Sequence, residues 1–147
     1  MALDEARPKT HELTLVAATV EAIDAREVDE AESFELEDSG PALHYLLSGE
    51  DGVGPLTFLA EDDPYPVRGV AVEDVRLVAD LIEGFPARVI RERLESPGLM
   101  DCPPFLGRPL EDEHKEWLLA VLHGVMVFLR RAATNGHAVL VVRLGDD

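Results

Sequence analysis

The chain has 147 residues, 46% of them hydrophobic and 29% charged, which is the size and composition of one globular domain able to bury a core without staples. Its formal net charge of −17 opposes nucleic acid and anionic membranes as partners. Its one cysteine, Cys102, excludes an intramolecular disulfide and any zinc site that needs two cysteines.

Residues 1–10 are polar, carry no signal-peptide pattern and read as a frayed N-terminal arm. From Leu13, apolar residues at Val16, Ala17, Val20 and Ile23 have helical spacing, with a short strand at 13–16 as the alternative that their β-branching supports. The stretch Asp24–Glu32 is mostly acidic and should be exposed, and Phe34 and Leu36 alternating with Glu35 and Glu37 predict a short half-buried strand. Residues 41–47 predict a short helix with proline in its first turn, 48–55 a glycine-rich loop, 56–59 a buried strand and 61–66 an acidic loop. Val72–Glu83 predicts a helix with acids at its start and a left-handed cap at Gly84. Phe85, Val89, Ile90 and Leu94 form the apolar stripe of a second short helix, and the prolines of 96–109 predict an irregular connection.

The last helix has the clearest pattern. Glu111, Asp112 and Glu113 open it, Arg130 and Arg131 close it, and Asn135-Gly136 ends it. Its middle is apolar on nearly every face, which predicts a central core helix. Within it, the nearly apolar run Leu118–Leu129 is shorter than the roughly 20 residues that cross a bilayer. Ala138–Leu144 is then a strand. The expected fold is α+β: a long C-terminal helix over 112–134 packed against a small mixed sheet, including strands near 56–59 and 138–143, with further short helices.

The segments Ala42-Leu43-His44-Tyr45-Leu46-Leu47-Ser48-Gly49, Gly54-Pro55-Leu56-Thr57-Phe58 and Tyr65-Pro66-Val67-Arg68, followed by Val72-Glu73-Asp74-Val75 and the ending Ala132-Ala133-Thr134-Asn135-Gly136-His137-Ala138-Val139-Leu140, resemble the bacterial YfbM-like family, a domain of unknown function. The resemblance spans about residues 38–144 and implies a single α+β domain, with no reaction to carry over. The chain departs from the family where Gly40-Pro41 replaces a usual tryptophan and histidine, and where Ala71-Val72 replaces a Thr-Pro helix start. The strand with which the family begins is not recognisable in residues 1–20.

Candidate chemistry is sparse. His44, Tyr65 and Arg68 recur where the resemblance is tightest and could frame a small-ligand or hydrolytic pocket. The plainer reading makes His44 a satisfied core histidine and Arg68 a pin for the acidic loop before it. His123, inside the apolar helix, reads as a core histidine. Cys102 has no neighbouring base to activate it. No metal-ligand spacing, nucleophile elbow, phosphate loop or dinucleotide fingerprint occurs, so no cofactor is expected.

Charge asymmetry is the stronger signal. Residues 1–63 carry 17 acidic and 3 basic side chains, a net of −14, which leaves −3 for the remainder. Such a distribution steers a cationic partner. The expectation is a cytoplasmic, non-catalytic acidic binding protein, monomeric or weakly dimeric, for a basic protein partner. An inhibitor or immunity-type protein against a basic toxin or nuclease is its sharpest form, with Asp29, Glu30, Glu32 and Glu35 as candidate partner-binding residues. The plain alternative is an acidic surface that only keeps the protein soluble.

Overall fold

The structure, a computed structural model, describes residues 12–25, 32–37, 39–49, 67–102, 105 and 107–144. In chain order these form β1 (Glu12–Ala18), α1 (Val20–Asp24), β2 (Glu32–Glu37), α2 (Gly40–Ser48), β3 (Val67–Val70), α3 (Val72–Glu83), α4 (Ala87–Leu94), α5 (Pro97–Met100), α6 (Asp112–Thr134) and β4 (Ala138–Leu144). The four strands make one sheet in the order β2-β1-β4-β3. Every ladder among them is antiparallel, so the sheet is simpler than the mixed one expected. The class is α+β, as the pattern predicts.

The first segment corrects the sequence reading. Residues 13–18 are strand, and helix begins only at Val20. Leu13, Val16, Ala17 and Val20 fit the helical period, but the face that is buried carries Leu13, Leu15 and Ala17, a period of two, with Ala18 also buried at the end of the strand. Thr19 separates the two elements, its Oγ1 accepting the Ala22 N–H at 3.1 Å. The N-terminal strand missing from the sequence comparison is therefore present as β1. A second strand, β3, was also hidden, because Pro66 precedes it and Gly69 interrupts it. The segment 56–59, expected as a buried strand, lies outside the described residues.

Register places Leu15 opposite both Phe34 and Val141. Leu13, Leu15, Leu36, Val139 and Val141 are buried in the same apolar core as the helices. The helix α6 packs chiefly on α3 and also touches β2, α2 and β4. Its buried residues are Leu118, Leu122, Val125, Phe128, Leu129, Ala132 and Ala133. It is not buried all round: Leu119 and Val127 are 40% and 41% exposed, and His123 between them is exposed, which overturns the reading of His123 as a core histidine. By length and composition alone α6 could cross a membrane, its best window having a mean hydropathy of 1.3. The run Leu118–Leu129 understated that length. Seven buried residues facing protein, and not lipid, identify it here as a core helix.

Two glycines have steric reasons. Gly124, midway along α6, lets Phe34 of β2 lie against the helix backbone: a Cβ there would stand 2.5 Å from the ring's Cζ. Gly136 turns the chain from α6 into β4 with φ of 72°, while the His137 N–H reaches back to the Ala132 carbonyl at 2.8 Å. Gly84, by contrast, ends α3 with φ of −88°, so the left-handed cap expected there is not used. Outside the core, Arg130 of α6 donates to Asp80 and Glu83 of α3. That hydrogen bond holds the Glu83 carboxyl below its ordinary value and raises the Arg130 guanidinium above its own.

Candidate functional site

The acidic half of the chain can be followed on α1 and β2. Glu21 and Asp24 are exposed on α1, and Glu32, Ser33 and Glu35 are exposed on β2, a strand that pairs only with β1 among the described residues. Glu32 accepts a hydrogen bond from Arg131 Nη1 of α6, so part of its charge is neutralised locally. Glu35, Glu21 and Asp24 form no ion pair among the described residues. Asp29 and Glu30 lie outside them.

Of the expected pocket, only the His44 side chain is described. It is half-buried on α2, flanked by the buried Leu43, Leu46 and Leu47. Ser48 Oγ lies 3.4 Å from His44 Nε2 and donates its own proton to the His44 carbonyl at 2.6 Å. The geometry therefore makes the ring the donor and the hydroxyl the acceptor in the longer contact. Arg68 lies on β3 opposite Val141 in the ladder; its side chain, like all of Tyr65, is outside the described residues. Next to His44, Tyr45 Oη and Ser96 Oγ share a hydrogen bond of 2.6 Å that ties α2 to the start of α5. Arg93 carries no motif by which it could have been picked out beforehand. Its Nη1 donates to the Leu46 carbonyl at 3.0 Å, and its guanidinium lies 5.6 Å from the centre of the Phe85 ring, satisfying the C-terminal end of α2. This neighbourhood of His44 is occupied with joining helices.

A different concavity is open. Where the connection after α5 meets the first turns of α6, Phe105, Arg108, Pro109, Glu111, His114 and Trp117 line a cleft of about 440 Å³. Phe105 is buried at its base, Trp117 is half-buried, and the four remaining side chains are exposed. Local hydrogen bonds hold its wall. The Glu111 N–H donates to His114 Nδ1 at 3.0 Å, and the His114 N–H returns to the Glu111 carbonyl at 2.9 Å. The neutral imidazole consequently carries its proton on Nε2. Its ring meets Phe105 edge-on, with centroids 5.5 Å apart. The sequence reading passed over this site because its residues are split between an irregular connection and a helix, with no fixed spacing to mark them. Among the described residues, no group of three His, Cys, Asp or Glu side chains could hold a metal ion.

A family model described as a domain of unknown function (DUF1877) matches residues 3–142. The chain belongs to this DUF1877 family. No curated protein matches it. Among solved structures, it is similar to the crystal structure of a protein of unknown function, YfbM from Escherichia coli. The TM-score is 0.70 over 90% of this chain and 99% of that one, at 14% identity. At that identity the likeness establishes a shared fold and nothing about chemistry. The YfbM-like resemblance drawn from residues 38–144 extends on the family model to residue 3 and so takes in β1.

Proposed function

We propose that this DUF1877 domain is a non-catalytic binding protein that docks a basic protein partner through its acidic half. In its most specific form it would be an inhibitor or immunity-type protein for a basic toxin or nuclease. The observation that carries the reading is the uneven placement of charge: residues 1–63 hold 17 acidic side chains against 3 basic ones, a net of −14 of the chain's −17. Outside that half, Arg130 is matched to Asp80 and Glu83, and Lys115 to Glu95, while other exposed acids such as Glu73, Asp74 and Glu92 have no ion pair among the described residues. On α1 and β2, Glu21, Asp24 and Glu35 are exposed and have no ion pair among the described residues. Unmatched charges of one sign raise the encounter rate with a partner of the other sign, and do so most at low salt.

The test is the triple variant Glu21→Lys, Asp24→Lys, Glu35→Lys. Glu32 is left alone, because a lysine there would face Arg131. A protein retained from the native host at low salt and released at high salt would be purified and its association rate measured by stopped flow. The triple variant should associate more slowly and with a weaker dependence on ionic strength. An unchanged rate and salt slope would reduce the acidic half to a solubility device.

A further inference from the structure

The cleft at the start of α6 is lined by two opposite charges that are not paired with each other. Arg108 and Glu111 both line it, and neither forms an ion pair among the described residues. The one hydrogen bond from the Arg108 guanidinium, Nε to the Phe105 carbonyl, is long at 3.4 Å. The rest of the lining is three flat or apolar surfaces, the rings of Phe105, Pro109 and Trp117, with the His114 imidazole held by its bond to the Glu111 N–H. A volume of about 440 Å³ lies within the roughly 300–1,000 Å³ of small-molecule sites, which combine apolar walls with a few convergent polar groups.

The geometry points to a purine nucleoside of the guanine type as the ligand of this cleft. A planar ring can stack on the half-buried Trp117. Its edge must offer acceptors to a guanidinium and donors to a carboxylate, and guanine has both. O6 and N7 accept from an arginine as they do in the major groove, and the N1–H and N2 amino group can donate to the Glu111 carboxylate. Phosphate does not fit as well. A helix N-terminus favours an anion, but Asp112 and Glu113 already occupy the first turn of α6, and the chain's net charge of −17 repels one. The ligand is therefore a nucleoside, not a nucleotide or a nucleic-acid strand. This site is separate from the acidic half of the chain, and its test is independent of the docking reading.

Trp117 is the only tryptophan in the sequence, so its fluorescence reports on this cleft alone. Guanosine titrated into the intact protein should quench it saturably. Arg108→Ala and Glu111→Gln should each weaken the apparent affinity about tenfold or more, the usual consequence of losing one charged hydrogen bond. Both residues are exposed, and matching thermal melts would show that the fold is kept. Guanosine monophosphate should bind more weakly than guanosine. Absence of saturable quenching, or quenching unaltered in both variants, would overturn the assignment, as would tighter binding of the monophosphate.

Discussion

Replacing Gly124 by alanine sets two effects of opposite sign against each other. Within a helix, glycine is roughly 0.8–1.0 kcal/mol worse than alanine, so propensity alone forecasts a gain. The structure forecasts a loss. A Cβ at 124 would stand 2.5 Å from Phe34 Cζ and 2.7 Å from Cε1, and must push the ring about 1 Å to reach ordinary contact near 3.5 Å. Yielding costs the ring a contact, because it also packs on Phe128, one turn further along α6, with ring centroids 6.1 Å apart. Overpacking of this kind costs about 1–3 kcal/mol. Gly124→Ala should therefore destabilise the protein by about 1 kcal/mol net. In a Phe34→Leu background, where the obstructing ring atoms are gone, the same change should stabilise by about 0.5–1 kcal/mol. Urea unfolding of the four proteins closes the cycle, each 1 kcal/mol moving the midpoint by about 0.5 M. If Gly124→Ala raised the midpoint in the wild-type background, the packing of Phe34 on the helix would be wrong.

Leu122→Ala and Val125→Ala, at 6% and 0% exposed, should each cost about 2–4 kcal/mol in the same assay; a loss under about 0.5 kcal/mol at both would make α6 peripheral. Val127→Ala, at 41% exposed, should change stability by no more than about 0.5 kcal/mol. The Arg130 hydrogen bond lowers the Glu83 carboxyl from its ordinary value of 4.5. Its stabilisation is thus present above that value and is lost as pH falls through the lowered one. Glu83→Gln should be less stable than wild type at neutral pH and converge on it in acid, as measured by melting across pH 7 to 3; a gap that widens in acid would contradict the pairing.

The longer helices were legible because their signals are local, whereas the four-residue α5 lies inside 96–109, where the prolines predict only an irregular connection. Val72–Glu83 and Asp112–Thr134 begin and end at the residues that charge and terminal glycines indicate. The sheet was less so. Around β1 the residues Leu13, Val16, Ala17 and Val20 have helical spacing, and only pairing with β2 and β4 selects the strand that β-branching leaves open. In β3 four residues with a glycine among them carry too little pattern to be seen. The surface of α6 was misjudged for a related reason: Leu119, His123 and Val127 look interior by composition, and which flank faces α3 cannot be read from one helix. Site residues suffered most. Arg93 reaches α2 across 47 positions of sequence, and Arg108 and Trp117 line one cleft although one precedes α6 and the other lies within it, so neither leaves a motif.

The acids of the first half admit a second physical explanation, and position separates the two. An edge strand exposes unpaired backbone groups, and charged side chains along it discourage pairing with another copy. Glu35 sits on β2, which has one partner strand among the described residues, so edge protection alone accounts for it. Glu32 has a further use, since it binds Arg131 and fastens β2 to α6. Neither explanation reaches Glu21 and Asp24. They are on α1, a five-residue helix with no buried residue, where no strand edge needs guarding and no described cation is met. A helix that buries nothing contributes little to stability through packing, and its carboxylates form no ion pair among the described residues. Among those residues, only solvent or a partner is left to meet their charge. Reversing Glu21 and Asp24 while keeping Glu35 therefore asks about docking alone, and reversing Glu35 by itself asks about the strand edge.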